Sequence, residues 1–236
     1  MNPADPLVFD FVPAEGSLSK ILDFAKIYDY KVVVKPLKGT GGIQVFRCGS
    51  VKQIEASVYK VWSQDYGVAV SPLLDVDEEI RVIVLLDKPR LVYRKRRSVV
   101  VGDGKSTVEG LLRKEITLCE GSVKHLATAL STLDLKVLKS VPRPDEQVPL
   151  EWRHNLGLGA KAEIVDDPEA ESLAVATAKA LNMKFCSVDV VRLKDQSLLV
   201  LEVNSGVMMD SFLVSSTENR LTAKQIYSDI ISHSLG

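Results

Sequence analysis

The sequence predicts an α+β fold built on antiparallel sheets, and three features carry that prediction. Short β-branched runs come in pairs joined by polar or glycine-rich turns, which is how hairpins read: Lys31 to Arg47, Ile80 to Arg97 and Ser187 to Asn204. Helical apolar patterns stand between these pairs, several of them opened by Ser, Thr or Asp. The 236 residues are 46% hydrophobic, enough apolar material for one large domain or two smaller lobes.

Taken in order, Leu7 to Asp10 is a short strand, and Ser17 opens a helix to about Tyr28 whose face is Leu18, Ile21, Leu22, Ala25 and Ile27. Lys31 to Lys35 is a strand, and Ile43 to Arg47 returns beside it. Ser50 caps a helix over Val51 to Trp62. Val68 to Leu74 is a strand interrupted by Pro72, and the acidic run Asp75 to Glu79 follows. Ile80 to Leu86 pairs with Arg90 to Arg97 around Asp87-Lys88-Pro89. Ser106 or Thr107 starts a helix to about Leu118, and Gly121 to Val141 mixes helical pattern with loop. Pro142, Pro144 and Pro149 mark an extended connection. Ala162 to Val165 is a strand, Glu169 to Asn182 a helix, and Thr222 to Ser234 the closing helix.

The net charge of −1 gives no electrostatic reason to bind nucleic acid or membranes. No apolar run is long enough to span a bilayer, and the first residues lack the basic start and apolar stretch of a signal peptide. Cys48, Cys119 and Cys186 stand singly, without CxxC spacing, so they read as core residues of a protein in the reducing cytoplasm rather than as a disulfide or zinc framework. The three histidines, His125, His154 and His233, have no cysteine near them in sequence, and nothing resembles a nucleophilic triad.

Two stretches carry chemistry. Lys38-Gly39-Thr40-Gly41-Gly42 joins two strands rather than a strand to a helix, so it is a hairpin flap and not a P-loop. Its N–H groups suit phosphate oxygens, and Lys35 at the strand end can reach the same charge. The ordinary alternative is a hairpin turn without a ligand. In the second stretch, strand parity puts Glu202 and Asn204 on one side, and an antiparallel partner brings Asp189 opposite them. Two carboxylates and an amide oxygen form a hard-oxygen set suited to Mg²⁺. The alternative is a hairpin with acids on its solvated face. Alternation also sets Arg94 and Arg96 against Lys95 and Arg97, with one face turned to nucleotide or acidic substrate and the other to solvent.

These pieces, in this order, resemble the ATP-grasp carboxylate–amine ligases. Val32 to Gly42 looks like that family's nucleotide lysine and phosphate flap, Glu79-Ile80-Arg81-Val82 like its acidic-x-Arg strand, and Asp189, Glu202 and Asn204 like its metal triad. Val101-Gly102-Asp103-Gly104-Lys105-Ser106-Thr107-Val108 is similar to a segment of cyanophycin synthetases and bifunctional glutathione synthetases. Trp152 to Ala160 resembles the Arg-x-Asn-Leu-x-x-Gly-Gly segment of ribosomal-protein glutamate ligases, with Ala160 in place of the second glycine. The resemblance implies an ATP-grasp fold with nucleotide held between two lobes, the smaller over residues 1–75 and the larger over 76–236, and a ligase that activates a carboxylate as an acyl phosphate for attack by an amine. It implies ATP with Mg²⁺ or Mn²⁺ as cofactors, and small carboxylates and amines, or a peptide, as substrates. By it, Lys35, Gly39, Thr40, Gly41 and Gly42 meet phosphates, and Leu73 and Leu74 offer backbone groups to adenine. Asp77 or Glu78 lies by the ribose. Arg153 stabilises the transferred group and Asn155 shapes its loop. Met208 and Met209 pack beneath the metal turn.

Departures qualify the picture. Relatives carry a domain of about a hundred residues before the flap lobe, together with an upstream phosphate lysine, and this sequence starts almost at the flap. The hinge reads Ser71-Pro72-Leu73-Leu74 instead of ending in a polar pair, and Ser205-Gly206-Val207 stands where a Pro-Gly turn is usual. A second reading follows, a non-catalytic ATP-binding or regulatory module, or an inactive fragment. On either reading the apolar face of Leu7 to Tyr28 is expected to need cover from a homodimer partner or an upstream domain.

Overall fold

The computed structural model describes residues 10–12, 17–39, 41–64, 67–118, 123–213 and 216–235. The chain divides into two compact units, Met1–Asp75 and Val76–Gly236.

The first unit is a four-stranded antiparallel sheet under two helices. Its strands are β1 (Asp10–Val12), β2 (Val32–Pro36), β3 (Phe46–Cys48) and β4 (Val68–Pro72), in the order β1-β4-β2-β3. Helices α1 (Leu18–Ile27) and α2 (Val51–Trp62) cover one face. Alternation in β2 sends Val32 and Val34 into that core, where they meet Ile21 and Ala25 of α1 and Ile54, Val58 and Val61 of α2. Val33 and Lys35 therefore take the opposite face. The Ser50 hydroxyl accepts from the Gln53 N–H, and the Gln53 side chain accepts from the Gly49 N–H, which fixes the start of α2. Helix α1 stops at Ile27 because Asp29 and Tyr30 adopt positive φ. The return strand starts at Phe46 and not at Ile43, because residues 41–44 are spent on a turn. Leu7 to Phe9 of the expected first strand lie outside the described residues. Within α1, Ile21 and Ala25 are buried while Ile27 is exposed.

The second unit is built on a five-stranded antiparallel sheet, with strands β5 (Val76–Leu85), β6 (Lys88–Arg96), β9 (Lys161–Ile164), β10 (Phe185–Leu193) and β11 (Leu198–Asn204) in the order β11-β10-β5-β6-β9. Helix α6 (Pro168–Ala180) lays Ala170, Ala174 and Ala178 against Ile80, Val82, Val84, Cys186, Val188 and Val190. On the other face Ile83, Leu91 and Tyr93 pack with Met209, with Phe212 of α7 (Asp210–Leu213), and with Ala223 and Ile226 of α8 (Thr217–Leu235). Met209 is buried there, but Met208 is 65% exposed, so only one of the two methionines packs as expected. Helix α8 begins five residues before the expected Thr222, since the Ser216 hydroxyl accepts from the Asn219 N–H and supplies a cap.

A third assembly in this unit was expected as one helix ending near Leu118, a mixed pattern and an extended connection. Strands β7 (Val99–Val101) and β8 (Gln147–Pro149) pair, and helices α3 (Val108–Leu118), α4 (Lys124–Thr132) and α5 (Leu135–Lys139) close over them around Val100, Leu112, Leu126 and Leu138. Cys48 and Cys186 are buried free thiols; Cys119 lies outside the described residues. Among the described residues no helix is long and apolar enough to cross a membrane.

Candidate active site

The site grows from the pairing of β10 with its two neighbours. Asp189 lies opposite Glu202 of β11, Ser187 opposite Asn204, and Asp189 also opposite Arg81 of β5, which in turn lies opposite Tyr93 of β6. Cross-strand partners share a face, so Asp189, Glu202, Asn204, Arg81, Glu79 and Lys95 all stand on the face that bears Tyr93. Below Asp189 the register slips: Val190 pairs with Val200, which leaves Leu201 as a bulge residue immediately before Glu202.

On that face the acids have different surroundings. Asp189 is 1% exposed. Its Oδ1 accepts from Arg81 Nε at 2.7 Å and its Oδ2 from Arg81 Nη2 at 2.6 Å, while Lys95 Nζ stands 3.0 Å from Oδ1. Lys95 also donates to Glu79 Oε1 at 2.5 Å. Burial alone would raise the Asp189 carboxyl, but Lys95 and Arg81 outweigh it and hold it down at about 2. For Glu79 burial wins, and its carboxyl is pushed up to about 6 against the pull of Lys95. Glu202 is exposed, and its Oε1 accepts from Asn204 Nδ2 at 3.1 Å.

This donor set fits a hard divalent cation at Glu202 and Asn204, because the amide donates through nitrogen and leaves its oxygen to a metal. Among the described residues no three His, Cys, Asp or Glu side chains gather into a metal site; the set here is two acids and an amide. Asp189 completes it only if one of its protein cations gives way.

Other expected residues divide between the two units. In the first, Lys35 sits on the sheet face opposite the helices, paired across the strands with Ala69. Gly41 and Gly42 have φ of 68° and 71°, a backbone that side chains resist, which is why the flap needs glycine there. Gly39 precedes them, and Thr40 lies outside the described residues. The Leu73 N–H donates to the Lys31 carbonyl at 2.9 Å, so only its carbonyl and the groups of Leu74 can be offered to a ligand.

In the second unit Asp77 is exposed. Glu78 faces away from Asp189, since adjacent strand residues take opposite faces, and it is held by Arg94 at 2.9 Å beside Arg192. Its neighbour Glu79, which the sequence marked only as part of a motif, is the acid that joins the cluster. Arg153 bends back on Glu151, with Nη2 donating to Oε2 at 2.7 Å and Nε to Oε1 at 3.0 Å, and its guanidinium lies over the Trp152 ring. Burial would raise Glu151, but Arg153 outweighs it and lowers the carboxyl. The Asn155 side chain accepts from the Gly157 N–H at 2.8 Å and so caps a 3₁₀ turn at Leu156–Leu158. Gly159 then takes φ 99°. The glycine that the backbone demands is thus present, and Ala160, outside that region, is tolerated. His154 was passed over in the sequence; its Nδ1 meets the Lys95 carbonyl at 2.9 Å and ties this loop to β6.

The chain is similar to known proteins in sequence and in fold. Residues 145–228 match the family description "RimK-like ATP-grasp domain". The glutathione biosynthesis bifunctional protein GshAB of Listeria monocytogenes is 24% identical over 85% of this chain, and that of Enterococcus faecalis 27% identical over 67%. The chain spans 29% and 23% of the lengths of those two relatives. D-alanine–D-alanine ligase from Bacillus anthracis superposes with a TM-score of 0.59 at 17% identity, over 96% of this chain and 62% of that one. The D-cycloserine synthetase DcsG gives 0.53 at 16% identity, over 94% and 64%. The protein has the ATP-grasp fold. Residues 145–228 are similar to the RimK-like domain, and up to 86% of the chain is similar to a part of glutathione biosynthesis bifunctional proteins.

Proposed function

We propose that this chain is the nucleotide-binding and catalytic part of an ATP- and Mg²⁺-dependent ligase that activates a carboxylate as an acyl phosphate and joins it to an amine. The observation that carries the reading is the cross-strand pair Asp189 and Glu202, with Asn204 beside them and two cations on the same face of an ATP-grasp sheet. Phosphoryl transfer asks for positioning and charge neutralisation rather than a covalent side chain. Glu202 and Asn204, with Asp189, would hold Mg²⁺, which supplies charge neutralisation to the β- and γ-phosphates when bound. Arg81 adds fixed positive charge on that face. In the first unit Lys35 would neutralise phosphate. Gly39 to Gly42 would cover it, excluding the water that would hydrolyse an acyl phosphate. The Leu73 carbonyl and the backbone of Leu74 would meet adenine.

Arg153 would leave Glu151 to stabilise the transferred group. The ion pair that holds it now favours the second reading, a nucleotide-binding module without transfer chemistry. ADP release separates the two. With ATP, Mg²⁺ and a panel of amino acids and short peptides, glycine with thiol dipeptides first among them, the ligase reading expects acceptor-dependent ADP. It also expects Glu202→Gln to lose at least about a hundredfold in rate, the scale of removing one charge from a transition-state clamp. Turnover that ignores both Mg²⁺ and Glu202→Gln would refute the site, and Mg²⁺-dependent ATP binding without ADP for any acceptor would establish the module.

A further inference from the structure

Lys95 is the basic residue whose position the reading above does not explain. It sits at 5% exposure between two carboxylates, one of which, Asp189, is an expected metal ligand. We propose that Lys95 is a tethered counter-cation that occupies Asp189 in the metal-free protein and exchanges with a divalent cation for that carboxylate. The proposal rests on reading Asp189, Glu202 and Asn204 as the metal site.

The geometry says which of the two protein cations yields. Arg81 grips both oxygens of Asp189 through a planar fork, and that two-point contact fixes the carboxylate in place. Lys95 makes one contact to Asp189, at 3.0 Å, and a shorter one to Glu79, at 2.5 Å. An ammonium on a flexible stem can give up the longer contact and keep the shorter, so it need not become an unpaired buried charge. Its burial bars escape to solvent, and its movement is confined to the space between Glu79 and Asp189. A cation entering from the exposed side, where Glu202 and Asn204 stand, meets the Asp189 carboxylate directly across the strand pair. Metal and ammonium at the same oxygen would repel, and Glu79 offers the ammonium a place to go. Within the cluster itself Glu79, Asp189 and Glu202 stand against Arg81 and Lys95, which leaves these five side chains with one net negative charge.

Divalent-cation binding to the full chain without nucleotide tests this, with Mn²⁺ as the spectroscopic probe followed by electron paramagnetic resonance. Removing the competitor should tighten binding, so Lys95→Met is expected to bind Mn²⁺ about tenfold more tightly than wild type, because a like charge next to the ion has been deleted. Lys95→Gln, which keeps donors for both carboxylates, is expected to shift the same way and carries the test if Lys95→Met does not fold. Arg94→Met removes an equal charge one residue away on the opposite face, and its affinity is expected to stay within about twofold of wild type. Unchanged or weaker binding in the Lys95 variants, with Glu202→Gln abolishing it, would overturn the exchange while leaving the metal site standing. Equal tightening in Arg94→Met would also overturn it, since the effect would then be general charge. Binding by Glu202→Gln as tight as by wild type would instead remove the metal site itself.

Discussion

Asp189 and Glu202 are nearly the same chemical group in opposite circumstances. One is enclosed and gripped by Arg81 and Lys95; the other is exposed and touched by a neighbouring amide. Strand parity made their shared face legible in the sequence, as it did the opposition of Lys95 to Arg94 and Arg96. What parity could not give was register: that Arg81 lies opposite Asp189, and that Lys95 reaches across β5, depends on residues more than ninety positions apart. The same gap hid the place of Glu79, which meets Lys95 on the site face. His154 was missed for a related reason, since its partner is a backbone carbonyl on a distant strand. A carbonyl only accepts, so Nδ1 carries a proton in this contact. Burial lowers the pKa of this histidine below its ordinary value. The unfolded chain therefore takes up the proton first as pH falls, and the stability present above about pH 6.5 drains away below it. His154→Asn, which can keep a donor to the Lys95 carbonyl, should flatten the fall in Tm that wild type shows between about pH 8 and pH 5.5. Parallel falls in both proteins would show that His154 does not set this dependence.

At the scale of elements, the assembly of β7, β8 and α3 to α5 shows how a loop can be as constrained as a helix. Gly102 donates to the Glu146 carbonyl at 2.9 Å and its own carbonyl accepts from the Asp145 N–H at 3.0 Å. A Cβ at Gly102 would lie 2.1 Å from the Arg143 carbonyl oxygen. The clash is with backbone and cannot be relieved by a rotamer, so Gly102→Ala should cost about 3 kcal/mol. That would appear as a Tm lowered by roughly 6–12 °C in a unit of this size. A Tm within a degree of wild type would mean that this loop does not hold the assembly together. The sequence registered Pro142, Pro144 and Pro149 as an extended connection; a turn at Pro144 and Asp145, the latter at positive φ, breaks it before the strand Gln147–Pro149, and nothing local announced that this strand would pair with Val99–Val101. Helices α2, α3 and α6 were legible nearly to the residue because their caps and apolar periods are local. The flap hairpin was legible in kind and wrong in extent, since Gly41, Gly42 and Gln44 turn left-handed and delay the return strand.

Across the whole molecule, the buried residues sort by unit. The core of Ile21, Val32, Val34, Ile54, Val58 and Val61 draws only on residues before Asp75, and the three cores of the second unit only on residues after it. The sequence anticipated two lobes from the order of its motifs, and each unit encloses apolar side chains of its own. A cavity in one core should then be felt in that unit first, because packing losses act through the side chains that line the void. Ile54 is fully buried in α2, within the core of the first unit. Ile54→Ala should cost about 2–5 kcal/mol, the usual range for emptying a buried aliphatic site. Native-state hydrogen exchange locates that loss. The amides of Val32–Pro36 and Val51–Trp62 should exchange faster by the corresponding factor, on the order of thirtyfold or more. Those of Phe185–Leu193 and Leu198–Asn204, which carry Asp189 and Glu202, should keep their protection. Mn²⁺ binding by this variant should likewise match wild type, because every expected metal ligand lies in the second unit. Equal loss of protection in both sets of strands would show that the two cores melt as one cooperative body, and the division at Asp75 would then be one of geometry and not of energy.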